Sequence, residues 1–252
     1  MEKNGSYRKA DLESQITYLK RACENIGVIL TEDQLHQFYR YYELLTEWNQ
    51  VMNLTAITEY KDVVQKHFVD SLALIPVCGV SASGALLDVG TGAGFPGIPL
   101  KIAFPELRVT LLDSLNKRVK FLNQVIETLG LSEIWAFHGR AEDFAKKKEF
   151  REQFDLCVSR AVANLASLSE YCIPFVRMGG LFISYKSGNS EEEISQAGKA
   201  IQVLGGHLRE VKEFFLPDSD ISRSFVMIEK RRATDKKYPR KAGLPGKEPI
   251  LS

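Results

Sequence analysis

Leu86 to Gly97, LLDVGTGAGFPG, is the stretch that decides the fold. An apolar run leads into Asp88, and four glycines (Gly90, Gly92, Gly94, Gly97) then fall within eight positions. Such crowding lets backbone turn tightly and approach a ligand closely. The run predicts a strand, and Pro99–Phe104 after it a helix, the setting in which a glycine loop binds a nucleotide-bearing cofactor. Two parses compete. Gly92-Ala93-Gly94-Phe95-Pro96-Gly97 fits the dinucleotide pattern G-x-G-x-x-G, whereas Gly90-Thr91-Gly92-Ala93-Gly94 fits the G-x-G-x-G of S-adenosylmethionine (SAM) binders. Asp113 ends the next strand, where a carboxylate takes ribose hydroxyls; both cofactors carry that ribose. A strand-to-helix turn that binds nothing is the third reading.

Around this loop the chain alternates. ALLDVG, RVTLLDS, IWAFHG, FDLCVSRA and LFISYK read as short strands, separated by segments of helical spacing at Pro99–Phe104, Leu115–Leu129, Ala141–Phe150 and Leu165–Val176. This is the pattern of βαβ units and a parallel sheet covered on both faces. Glu191–Leu204 reads as one more helix, and HLREVKEFFLP and SRSFVMIEKRR as an antiparallel hairpin around DSDI. Before the loop, residues 1–83 read as helical, with a capping box at Thr31 and Gln34 and a third helix opening at Thr58. The expected fold is α/β and Rossmann-like: a helical N-terminal region (1–83), a SAM-dependent (class I) methyltransferase core with a mostly parallel sheet ending in an antiparallel hairpin (84–232), and a basic, flexible C-terminal tail (233–252).

A dinucleotide fold needs a second mononucleotide half. Only about 150 residues separate Ala85 from the tail, and they end in a hairpin, which favours SAM. Asp88, Gly90, Gly92, Gly94 and Asp113 are therefore candidate cofactor residues. Ala141 and Glu142, after the third strand, are candidates for the adenine, with Glu142 alternatively a helix-start acid complementing the dipole.

Of 252 residues, 44% are hydrophobic and 26% charged, ordinary for a globular chain. The net charge of +1 hides an asymmetry: Lys230–Lys247 holds eight Lys or Arg and one acid, +7, leaving −6 for the remainder. Four cysteines without C-x-x-C spacing, no signal peptide and no long apolar run predict a reduced, cytoplasmic protein with no membrane span and no metal.

The fourth strand ends in FDLCVSRAVANL. The N/D-P-P-Y/F loop that serves exocyclic amines is missing. Cys157 in mid-strand and Cys172 in mid-helix are misplaced for attack on cytosine. An acceptor with a free lone pair and no proton to lose needs no general base; guanine N7 is one, and its methylation requires only alignment. No catalytic side chain is expected beyond Arg160, which could position substrate or pair structurally.

Taken together, W48N49…N53L54T55, KHFVDSL (Lys66–Leu72), LLDVGTGAGFPGIPL, LLDSLNKRVKFL (Leu111–Leu122), SRAVANL and KKYPRKAGLPGK (Lys236–Lys247) resemble the bacterial RsmG (GidB) methyltransferases. The resemblance implies N7-methylation of a guanine in the decoding region of 16S ribosomal RNA using SAM; the expected partner is that RNA, naked or in the small subunit, and the expected state a monomer. It implies cofactor contacts at Gly90, Phe95, Asp113, Ser114, Ala141, Glu142 and Arg160. Lys66 departs from the Arg of many members, which keeps the charge but not a bidentate phosphate contact.

Arg118, then Lys117, are the expected RNA contacts on the helix after Asp113, where cations oppose the dipole. Lys186, Arg223 and His67 are further RNA candidates; His67 and Asp70 could instead form a helix-side pair. The tail is expected to dock RNA electrostatically and to leave cofactor affinity alone. A methyltransferase on another acceptor, a dehydrogenase and a non-catalytic RNA-binding ribosome-assembly factor are the competing functions.

Overall fold

The computed structural model describes residues 2–188 and 190–252; Met1, the first residue of the expected helical region, and Asn189 lie outside it. Helices α1 (Glu2–Glu24) and α2 (Glu32–Met52) come first. The Thr31 hydroxyl accepts the Gln34 N–H at 3.3 Å, and the Gln34 side chain accepts the Thr31 N–H at 2.8 Å. Two donors that a first turn leaves open are thus satisfied. The Gln34 amide also donates to Ile102 O at 2.8 Å, so the cap pins α2 to the layer covering the sheet.

The third helix opens at Glu59 rather than Thr58 and is not regular. It runs as α3 (Tyr60–Val63), a π-helical turn (Val64–Val69), α4 (Asp70–Leu72) and α5 (Leu74–Cys78). A π turn is wider than an α turn and re-aims the side chains it carries, here Lys66 and His67.

From Gly84 the alternation is as the sequence pattern predicts: β1 (Gly84–Val89), α6 (Gly97–Ala103), β2 (Leu107–Asp113), α7 (Asn116–Thr128), β3 (Ile134–His138), α8 (Ala141–Phe144), β4 (Phe154–Arg160), α9 (Leu165–Cys172), β5 (Val176–Ser187), α10 (Glu191–Val203), β6 (Gly206–Phe215) and β7 (Ser222–Lys230); a short helix not expected from the sequence, α11 (Leu244–Lys247), follows in the tail. Two helices are shorter than expected. Helix α8 stops at Phe144, and α9 ends at Cys172 in a 3₁₀ turn containing Pro174, which cannot donate to a continuing helix.

The strand order is β3-β2-β1-β4-β5-β7-β6, with β7 antiparallel between β5 and β6 and the remaining pairs parallel. This is the class I methyltransferase arrangement. One core packs α1–α7 on one face of the sheet and the other packs α8–α10 on the opposite face. The order reverses between β1 and β4, whose following helices α6 and α9 leave to opposite faces. A crevice opens at the carboxyl ends of strands at such a reversal.

The first core joins Leu35, Phe38, Leu45 and Phe68 of the N-terminal helices to Leu86, Ile98, Leu111 and Phe225. Tyr41, fully buried, donates its hydroxyl to Ala93 O of the glycine loop.

The carboxyl-terminal segment, expected from its composition to be flexible, packs against the body of the protein. Lys230, 1% exposed, donates to Ile173 O at 3.0 Å and Thr234 Oγ1 at 2.6 Å and pairs with Glu152 at 3.0 Å. Arg151 holds the backbone carbonyls of Thr234 and Tyr238 at 2.7 and 2.9 Å. The cause is a buried acid: Glu170 on α9 is 1% exposed and requires a counter-charge, which Arg240 of this segment supplies at 2.7 Å.

Because the packing is continuous from α2 to the sheet, Trp48→Phe and Trp135→Phe are expected to show one urea midpoint, although the remaining tryptophan sits on β3 in one and on α2 in the other. Phe68→Ala, made in each background, should lower stability by about 3–5 kcal/mol by both probes. Split midpoints would mean that the helices and the sheet unfold separately.

Candidate active site

The glycine loop is closed by a buried carboxylate. Asp88, at the end of β1, is wholly buried, and its Oδ2 accepts the Thr91 hydroxyl at 2.7 Å and the Gly97 N–H at 2.9 Å. Its Oδ1 has no partner among the described residues. Burial pushes the carboxyl up to about 6 despite the two bonds that favour its charge. Gly90 (φ +71°) and Gly94 (φ +100°) hold left-handed backbone. A Cβ would stand 2.5 Å from Val162 Cγ2 at Gly90, and 2.7 Å from the Tyr41 hydroxyl at Gly94. No side chain fits at either position.

Asp113, 2% exposed, stitches this loop to the next element. Its two oxygens accept the N–H groups of Gly92 and Leu115, each at 2.9 Å, and the Arg118 guanidinium stands 3.5 Å away.

Two cavities open along the carboxyl edge of the sheet. The smaller, about 330 Å³, is lined by Gly90, Ser114, Ala141 and Glu142 from the expected cofactor set. Asp88, Gly92, Gly94, Phe95 and Asp113 do not line it; they form the frame behind it. Phe95 is 5% exposed, stacked on His67 with ring centroids 4.5 Å apart and packed on Tyr41. Also lining this cavity are Arg140, Val162, Tyr171 and Gly246, which the sequence reading missed. Arg140 adjoins Ala141 and was within reach of that reading; Gly246 comes from the tail and carried no local signal.

The larger cavity, about 520 Å³, takes Lys66, His67, Arg160, Lys186 and Arg223, with Asp70 and Glu193. Arg160 therefore belongs here and not to the smaller cavity. Asp70, 2% exposed, is the hub: it accepts Arg160 Nη1 at 2.8 Å and Arg223 Nε at 2.9 Å. The helix-side pair of His67 with Asp70 is not formed. The His67 ring has Nε2 2.9 Å from the Thr55 hydroxyl and Nδ1 facing Lys66 O and the Arg160 guanidinium, 3.3 Å away. Burial, then Arg160, lowers His67 from 6.5 to about 3, so it is neutral at physiological pH. Lys186 pairs with Glu193 at 2.6 Å and Lys66 with Asp62 at 2.9 Å. Four cations thus line the cavity against two carboxylates. Lys117 is exposed on α7, and neither it nor Arg118 lines either cavity.

The two cavities meet at the loop after β4. Arg160 and Ala161 line the larger, and Val162 and Ala163 the smaller. Ala161 holds φ +55°, a left-handed conformation unfavourable to a residue with a Cβ. Ser159, which precedes Arg160, is buried and donates to Val89 O at 2.8 Å, tying the ends of β4 and β1 together. Cys157 and Cys172 are buried, and burial pushes the Cys157 thiol well up, so it is no nucleophile.

Residues 34–222 match the model of the GidB family, rRNA small subunit methyltransferase G. A ribosomal RNA small subunit methyltransferase G of Lachnoclostridium phytofermentans is 56% identical over 231 residues, 92% of this chain and 96% of that protein. One of Desulforamulus reducens is 53% identical over 232 residues, 92% of this chain and 97% of that protein. Among solved structures, TrmN from Thermus thermophilus aligns at 17% identity with a TM-score of 0.49, over 66% of this chain and 53% of that one. On the sequence relatives and the matching model, the chain belongs to the rRNA small subunit methyltransferase G (GidB) family.

Proposed function

We propose that this protein transfers a methyl group from SAM to N7 of a guanine in 16S ribosomal RNA, the smaller cavity holding the cofactor and the larger the RNA. The carrying observation is the pairing of the two cavities across residues 160–163, one under the glycine loop and one lined by four cations. Residues 84–232 form the catalytic core in this reading, and the helices of 1–83 bring Lys66, His67 and Asp70 to it.

The residues present fit SAM. Gly90 and Gly92 carry no side chain, Thr91 between them turns its hydroxyl to Asp88, and a Cβ at Gly92 would meet nothing within 4 Å. Asp88 and Asp113 place two carboxylates behind the loop, which suits a cationic ligand. Gly90, Ser114, Ala141 and Glu142 would hold the group, which supplies an electrophilic sulfonium methyl.

The chain's own contribution is alignment and charge. Arg160 and Arg223, fixed by Asp70, present guanidinium edges suited to phosphate oxygens, and Lys186 adds a third cation. None of the titratable groups in the larger cavity is suited to remove a proton. His67 has both ring nitrogens engaged and its basicity depressed, while Asp70 and Glu193 are paired with cations. This favours N7, whose lone pair is free, over an exocyclic amine.

Three outcomes are expected. Incubation with methyl-labelled SAM and either deproteinised rRNA or small subunits should place label in RNA as N7-methylguanosine; label confined to protein or small molecules would overturn the assignment. Arg223→Gln should lower kcat/KM for RNA by about ten- to a hundredfold, about 1.4–2.8 kcal/mol in the barrier, with S-adenosylhomocysteine affinity within twofold. Equal losses of both would contradict the division of the cavities.

The third concerns acid. His67 has a lowered folded value, so its contribution to stability is present above 6.5 and lost as pH falls toward 3. Asp88, raised to about 6, acts in the opposite sense between 3.8 and 6, but is common to wild type and variant. The urea midpoint of the wild type should therefore fall more steeply than that of His67→Gln between pH 6.5 and 4. Parallel curves would show that His67 does not titrate as described.

A further inference from the structure

The carboxyl-terminal segment reaches the smaller cavity. Gly246 lines it together with Gly90, Ser114 and Ala141. The Gly243 N–H donates to Glu142 Oε1 at 2.7 Å, and Glu142 is only 4% exposed. The carboxylate expected to face the cofactor adenine is thus half engaged by the tail. Ser167 of α9 donates to Pro245 O at 2.8 Å. Arg240 clasps Glu170 through both its backbone N–H, at 2.6 Å, and its guanidinium, and reaches Glu248 O at 2.7 Å, folding the segment back on itself. A Cβ at Gly246 would stand 3.1 Å from the hydroxyl of Tyr171, another residue of the cavity wall.

We infer that Gly243–Lys247 is a cofactor-binding element: it forms the outer wall of the smaller cavity and contributes to affinity for the adenosine part of SAM and of its product. The inference rests on the reading of that cavity as the cofactor site. It reverses the expectation that the tail serves RNA alone and leaves cofactor affinity untouched. The anchors explain why. The contacts that order the segment are made by α8 and α9, the same elements that form the cavity wall, and its cation at Arg240 is committed to Glu170. Linkage makes the effect reciprocal: a segment that strengthens nucleoside binding is itself held down by the nucleoside.

The test measures S-adenosylhomocysteine binding by calorimetry to the full chain, to a chain ending at Ala242, which keeps the Arg240–Glu170 clasp, and to full-length Gly246→Trp. Both altered proteins should bind at least tenfold more weakly. In the wild type, S-adenosylhomocysteine should slow tryptic cleavage after Lys241 and Lys247 several-fold. Should the shortened chain fail to fold, Gly246→Trp and the cleavage rates decide. Full-length Ala141→Trp, altered on the α8 wall of the cavity and outside the tail, separates the two readings. If it loses affinity while the shortened chain and Gly246→Trp stay within twofold of wild type and cleavage is unchanged, the tail inference is overturned and the cavity assignment stands. If Ala141→Trp binds as wild type, or the full chain does not bind, both are overturned.

Discussion

The pair of hydrogen bonds that the Asp88 carboxylate accepts from the Thr91 hydroxyl and the Gly97 N–H is the constraint on which the site depends. Both ends of the glycine loop are tied to one oxygen inside the sheet, so Gly90 to Gly94 must arch over the carboxyl end of β1. Hydrogen bonds to a charged group contribute about 1.5–3 kcal/mol each, yet a buried carboxylate loses several kcal/mol of hydration. The raised value of Asp88 shows that desolvation is the larger effect. A residue that is poor for stability but fixes a loop's path is best explained by what that path makes possible. Asp113 repeats the device one strand over, stitching Gly92 to Leu115, so one carboxylate ties the loop to the start of α7.

A second buried carboxylate organises the other half of the site. Asp70 holds Arg160 from β4 and Arg223 from β7, two residues far apart in the chain, on the two strands that flank β5. Asp70 comes from an N-terminal helix, so that helical region is not an appendage. The π turn before Asp70 turns His67 onto Phe95 of the glycine loop. Through Phe95 the cationic cavity leans on the same loop that frames the smaller one, and the two halves of the site share a wall.

Much of this was legible in the chain. Short apolar runs alternating with segments of helical spacing predicted the strand and helix order, because a strand buried on both faces is apolar throughout whereas a helix buried on one face repeats every three to four residues. The capping box at Thr31 was legible because it is a local, three-residue interaction. Gly90, Ser114, Ala141 and Glu142 were legible because each sits at the end of a strand, where the topology opens a crevice. The placement of Arg160 was not: its side chain leaves the strand end toward Asp70, a partner 90 positions away. Nor was the fate of Lys117 and Arg118, since a helical wheel does not say which flank of α7 faces a cavity.

By itself, then, the sequence determined the alternation of elements, the glycine loop and its flanking carboxylates, and with them the fold and the family. These are local or periodic, and short-range sterics and burial suffice to specify them. Tertiary structure alone decided the rest: that Asp70 takes two arginines and not His67, that Phe95 backs the site while Val162 fronts Gly90, and that a basic tail packs against α8 and α9 beside Glu142. Those outcomes depend on long-range pairing of buried charges. A lone Glu170 or Arg240 looks like a solvated residue until folding removes water from one and the other becomes the counter-ion it needs.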